Sequence, residues 1–203
     1  MEMSRAARKE KEGTRCDNCR GIVPNYEIVH LGSIEGGYRN LCAKCFNEDT
    51  AKLAGLDEFQ HLNFEPVQVL DGDGRAHEFH FRTHLFGTGV ALNAFELRDG
   101  NPGGYQLQII DDPEADLMVL FGRLIEKIRR ALAIKHLKQE SLGLQVDGEI
   151  VRGRIEWDPE ENGRVPLLII DGREIPWDQF GRMMMSFEGW QFRLEILDRS
   201  EEP

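Results

Sequence analysis

The sequence predicts an α+β protein: a small four-cysteine module, then antiparallel sheet packed by one long and one short helix. Three observations carry this. All four cysteines form two C-x-x-C pairs, Cys16/Cys19 and Cys42/Cys45, separated by twenty-two residues. The apolar residues Leu117, Leu120, Phe121, Leu124, Ile125, Ile128 and Leu132 recur at helical spacing. Most other apolar residues alternate over short runs bounded by Gly, Pro, Asn and Asp.

The expected order is a basic arm (1–14), a metal module (15–57), a meander plus long helix (58–142), a ββαβ unit (143–198) and an acidic tail (199–203). Whether the third and fourth parts share one core is left open. The arm is polar and aperiodic, so disorder is expected there. Through Arg15 it has five basic residues against three acidic, a net of +2.

In the module, residues 25–31 read as a strand and Gly32–Gly37 as turn material. Tyr38–Leu41 reads as the returning strand, and Ala43–Ala54 as a helix stopped by Gly55. The order is knuckle, hairpin, then a second C-x-x-C opening a helix. It resembles the treble-clef class of zinc modules and, more loosely, zinc ribbons.

Two residues between cysteines let a tight knuckle aim both sulfurs at one ion. Four thiolates close the tetrahedral shell of Zn²⁺, so Cys16, Cys19, Cys42 and Cys45 are the expected ligands of a structural zinc. A catalytic zinc keeps one position open, and here none is left over. An iron–sulfur cluster takes the same four ligands but usually shows other spacings. A redox C-x-x-C normally comes singly. Disulfides fit poorly with the absence of a leading apolar secretory segment. A segment of about 40 residues has too little core to fold unaided. The ion is expected to supply on the order of 10 kcal/mol. Arg15, Arg20 and Lys44 flank the knuckles and can offset the net −2 of a Zn(Cys)₄ centre.

Residues 58–63 read as a linker. Strands are expected at Phe64–Leu70, Ala76–Phe86, Val90–Leu97 and Tyr105–Ile110. Asp71-Gly72-Asp73-Gly74 is a hairpin turn; it lacks the downstream glutamate of a calcium loop. Arg98–Gly104 is a glycine-rich loop without the Lys-Ser/Thr of a phosphate loop. The long helix is expected from an Asp112 N-cap, with Lys135, His136 and Lys138 in its last turn. Its charged face (Arg123, Glu126, Lys127, Arg130) is expected to be solvated. Further on, Gln139–Val146 is a connector, Glu149–Trp157 and Val165–Ile170 are strands, and Pro176–Ser186 is a short helix whose Met183–Met185 run offers an adaptable contact surface. Trp190, Phe192, Leu194 and Ile196 alternate with Gln191, Arg193 and Glu195, as in a half-buried antiparallel strand.

Beyond the cysteines, one row stands out. On the Ala76–Phe86 strand, His80, Arg82 and His84 share a face with Glu78. The two histidines would lie about 13 Å apart, too far for one metal but able to flank Arg82 as an anion-binding row. No G-x-S-x-G, H-E-x-x-H or P-loop is present, and the thiols are committed to metal. The net charge of −11 opposes general nucleic-acid binding. No apolar run is long enough to span a membrane. The layout, with GREIPWDQFGRMMMSFEGWQFRLEI (172–196), resembles uncharacterised bacterial and archaeal protein families. That resemblance implies no activity and brings no catalytic residue across. A cytoplasmic, non-catalytic zinc scaffold with protein partners is expected. The alternatives are a small enzyme or ligand-binding domain using His80, Arg82 and His84, and a nucleic-acid-associated zinc protein led by the basic arm.

Overall fold

The computed structural model describes residues 13–141, 143–198 and 201. The basic arm falls outside these except for Gly13 and Thr14, and the acidic tail except for Glu201. The α+β class holds, with three helices and thirteen strands among the described residues.

β1 (Thr14–Arg15) and β2 (Ile22–Val23) pair around the first cysteine knuckle. β3 (Ile28–Ser33) and β4 (Gly37–Cys42) form a hairpin leading directly into helix α1 (Ala43–Ala54). The first strand of that hairpin starts three residues later than expected. Pro24 accepts from the Glu27 N–H at 2.9 Å and winds Asn25–Glu27 into a 3-10 turn. Helix α1 ends at Gly55, whose φ of +71° is left-handed and suits glycine.

β5 (Val67–Leu70), β6 (Ala76–Phe86), β7 (Gly89–Arg98) and β8 (Asn101–Asp111) form an antiparallel sheet in chain order. The expected 98–104 loop is mostly strand. Asp99 and Gly100 turn the chain with φ of +51° and +77°, the signs a tight hairpin turn requires. Pro102 is tolerated because β8 is an edge strand with no partner on its outer side among the described residues. Helix α2 (Leu117–Ala133) covers one face, packing Leu120, Leu124, Ile128 and Leu132 on Phe79, Phe81, Leu85 and Leu92. Its N-cap is Asp116, not Asp112. The Asp116 side chain accepts from Met118 N–H and Val119 N–H, whereas Asp112 is used in a turn with Glu114 N–H. Lys127 is buried rather than solvated, donating to the Gln108 carbonyl. The 58–63 stretch is not a free linker, because Phe59 and Leu62 pack on this core.

Helix α2 stops at Ala133, so Lys135, His136 and Lys138 lie beyond it. Instead of a plain connector, β9 (Leu137–Glu140) and β10 (Gly143–Val146) form a hairpin. β11 (Arg154–Trp157), β12 (Pro166–Ile170) and β13 (Arg173–Pro176) form a second antiparallel sheet. Helix α3 (Trp177–Met184) packs Met183 and Phe180 on Leu168, Ile170 and Ile175. This apolar cluster is separate from the one under α2. The strand expected at Trp190–Ile196 does not form: those residues have no ladder partner and are exposed. Alternation marks an amphipathic extended segment, but a strand also needs a neighbour.

The open edge of β6 shows why the four-cysteine module sits where it does. β5 pairs only with Ala76–Phe79, which leaves the same edge of β6 without a strand from His80 onward. Helix α1 occupies that edge. The fully buried Asn47 amide donates to the Thr83 carbonyl at 2.9 Å and accepts from the Leu85 N–H at 2.9 Å. One side chain thus stands in for a strand residue. Asn47→Ala leaves two buried backbone groups unpaired and is expected to cost about 2–4 kcal/mol. Urea titrations of the two proteins side by side measure it; equal midpoints would show that the edge is satisfied some other way.

Candidate metal centre

The four cysteines, which no disulfide joins, come together at the junction of the two hairpins and α1. Cys16 and Cys19 lie in the knuckle between β1 and β2, which Cys16 N–H to Gly21 O (2.8 Å) and Arg20 N–H to Cys16 O (3.0 Å) close tightly. Cys42 ends β4 and Cys45 lies in the first turn of α1. Asp17 ties the knuckle to β4: its N–H donates to Asn40 O and its carboxylate accepts from Asn40 N–H, both at 2.7 Å.

All four sulfurs lie within 4.8 Å of one another, with Cys19 and Cys42 Sγ 3.9 Å apart. A tetrahedron with Zn–S bonds of about 2.3 Å has edges of about 3.8 Å, so the donor set fits such an ion. Cys16, Cys42 and Cys45 are buried and Cys19 is exposed. Burial raises the Cys16 thiol, but backbone N–H groups of Cys42, Cys19 and Asn18 outweigh it and bring it down to about 6. Burial, aided by crowding from the other three sulfurs, pushes Cys45 up to about 12. Four sulfurs this close cannot all ionise without a cation among them. Of the flanking cations, Arg20 faces Asp17 at 4.0 Å and Lys44 faces Glu48 at 3.8 Å.

The His80, Arg82 and His84 row lies on the sheet face that receives the module, and all three are half-buried. Arg82 Nη1 donates to the Tyr26 carbonyl at 2.7 Å. His80 lies edge-on to Tyr26 and within 3.4 Å of its hydroxyl. His84 stacks on Phe46, ring centroids 4.8 Å apart, and its pKa is lowered by burial and by Arg82. The row therefore meets the module at Tyr26 and Phe46.

A second polar cluster was not foreseen from the sequence. His77 shares the core side of β6 with Phe79, where its ring nitrogens face Glu96 Oε1 at 2.8 Å and Asp71 Oδ2 at 3.2 Å. Lys135 Nζ donates to the same Asp71 oxygen at 2.7 Å. Asp71 also accepts from the Arg75 and Asp73 N–H groups. Lys135 and these donors hold its carboxyl far below the usual range. Tyr105 lies edge-on to His77; burial, then Asp171, Glu96 and Asp71, raise its hydroxyl pKa. Against Tyr105 and Glu96 comes Gly172, where a Cβ would stand 2.8 Å from the Tyr105 ring. Arg98 donates to the Gly172 carbonyl at 2.6 Å, and Asp171 accepts from His136 and Leu137 N–H. The cluster therefore joins the two sheets.

Fold and site together define an α+β protein with an amino-terminal four-cysteine cluster suited to a metal ion. Residues 15–57 match the family model Domain of unknown function (DUF7685), residues 60–133 match Domain of unknown function (DUF7686), and residues 136–201 match Domain of unknown function (DUF7713). No curated protein and no solved structure matches the chain. No helix among the described residues is long and apolar enough to cross a membrane.

Asp71→Asn keeps the shape but removes the charge that Lys135 and His77 face. A carboxyl whose folded pKa is depressed contributes stability above its ordinary pKa and loses it as pH falls from about 4 toward the folded value. The variant is therefore expected to be less stable than the parent at pH 7, with the gap narrower at about pH 2–3 and closing only near the depressed folded value. Denaturant midpoints at both pH values measure this; a gap independent of pH would remove charge as the cause.

Proposed function

We propose that the chain is a structural zinc protein acting as a non-catalytic binding scaffold, its front module of the treble-clef kind. The observation that carries this is the convergence of four sulfurs in a set that a single tetrahedral ion saturates. Knuckle, hairpin and helix follow in the order such modules use. With its coordination filled by protein, the ion supplies shape rather than a site for water or substrate. The module's own apolar cluster consists of three cysteines and Leu41, flanked by Val23 and Phe46. That is too little to hold about 40 residues without the metal. His80, Arg82 and His84 each engage the module, which favours a docking role over an open ligand site. What the scaffold binds follows from its exposed surfaces, and protein is the class of partner we propose.

Metal analysis of the full chain is expected to give one zinc per molecule and no visible charge-transfer band. Iron with strong visible absorption would replace this assignment by a cluster protein. Removing zinc with a strong chelator, or changing Cys42 to Ser, is expected to unfold residues 15–55 and expose the β6 edge to hydrogen exchange. The ion is released on acidification as protons compete for the thiolates. Unchanged exchange at Leu85 after chelation would show that the ion does not brace the module.

A further inference from the structure

The carboxyl-terminal segment Trp190–Ile196 has every local feature of a strand and none of its partners. Trp190, Phe192, Leu194 and Ile196 are 64%, 91%, 73% and 67% exposed. The same chain carries a matching vacancy. β11 is an edge strand of the β11-β12-β13 sheet, with no neighbour on its outer side among the described residues. Ile155 lies opposite Leu168, and Leu168 opposite Ile175, so Ile155 and Trp157 belong to the apolar face that α3 covers. The cover stops short of β11, leaving Ile155 57% and Trp157 68% exposed.

We propose that Trp190–Ile196 of one copy adds antiparallel to β11 of a second copy, and reciprocally, giving a two-fold dimer joined through strands. Matching the apolar faces fixes the parity of the pairing. One antiparallel register then sets Phe192 against Trp157, Leu194 against Ile155, Arg193 against Glu156 and Glu195 against Arg154. Both polar pairs are opposite in charge, the favourable cross-strand arrangement. A shift of two residues puts Arg193 against Arg154 in one direction and Glu195 against Glu156 in the other. No parallel register with the same faces matched produces both pairs.

Topology supplies the reason for a second copy. β11 and β13 both run antiparallel to β12, hence parallel to each other. A segment reached from β13 through a helix enters the sheet parallel to β13. Glu188 and Gly189 (φ +86°) are the centre of one β-turn, closed by the Trp190 N–H to Phe187 O bond at 2.9 Å, which supplies the single reversal between the helix and the segment. The chain's own segment thus reaches its own β11 in the poorer, parallel sense. A symmetry mate supplies the antiparallel one, and the two-fold repeats the contact.

Sedimentation of the full chain at micromolar concentration is expected to give twice the monomer mass of 23.3 kDa. Leu194→Glu is expected to give the monomer mass with unchanged far-ultraviolet circular dichroism, because Leu194 is exposed and belongs to none of the apolar clusters. The double variant Ile155→Cys/Leu194→Cys is expected to yield a covalent dimer on mild oxidation, where the parent gives none. A monomer at every concentration up to about 100 µM overturns the proposal. A dimer that survives Leu194→Glu, or a bond formed within one chain, overturns it equally.

Discussion

An edge of sheet closed by one side-chain amide is the constraint on which the arrangement of this protein rests. Once β5 ends opposite Phe79, β6 continues for seven residues with outward-facing peptide groups that need partners. Water would serve on a surface, but Phe81, Thr83 and Leu85 are buried here. Asn47 meets the need in both directions, one donor and one acceptor, as a neighbouring strand would. It can reach only because Ala43 and Ala51, one turn either side on the same helical stripe, are small enough to bring α1 close. Helix α1 is also the element that presents Cys45. Cys45 of the sulfur cluster and the sheet edge are therefore positioned by the same twelve residues.

The second joint uses charge where the first uses an amide. Asp71, His77, Glu96 and Lys135 are linked by hydrogen bonds around a site with Tyr105 as its wall. Neither of the two facing carboxylates is left without a donor, which is the condition for burying them at all. The β12–β13 turn closes over this wall, and only glycine fits at 172, where φ is +70° and the Tyr105 ring is already in contact. Polar joints of this kind fix register and spacing more sharply than apolar contact, because a slip strands buried partners.

What was legible in the sequence was what local chemistry decides. Ligand spacing is a property of two short knuckles, so the cysteines and the order hairpin–helix were readable before any tertiary contact. Periodicity placed α2 and the Ala76–Phe86 strand. The α2 start at Asp116 was misread because Asp112-Pro113 carries equal capping signals, and only the chain path chooses between them. His80, Arg82 and His84 were assigned to the correct face of β6, but nothing local says that Tyr26 and Phe46, more than thirty residues upstream, will cover it. His77 was hidden among phenylalanines, and its partners come from the β5–β6 turn and from β7, with Lys135, beyond α2, reaching it only through Asp71. The Ala43–Asn47–Ala51 stripe was the one available signal for the edge clamp: a polar residue between small ones on a buried helical face.

Unequal cores give the three parts an order of dependence. The central sheet and α2 supply thirteen of the fourteen buried apolar residues of one cluster (Ala51 of α1 is the other), against six in the carboxyl-terminal cluster and four, three of them cysteine, in the module's own. Only the central part therefore has enough buried area to hold itself. The module borrows stability from β6 and, on the proposed function, from a bound ion; the carboxyl-terminal unit borrows it from the Asp171–Gly172 contact and from β9, which follows α2 after three residues. Loss of the ion would free α1 and, with it, the cover over Thr83 and Leu85, leaving the centre intact but with an open edge. An open, partly apolar edge is a template for pairing with another chain. On the proposed function, a bound ion would therefore do more than order the residues around it: it would keep the main sheet closed on the side its own strands do not reach.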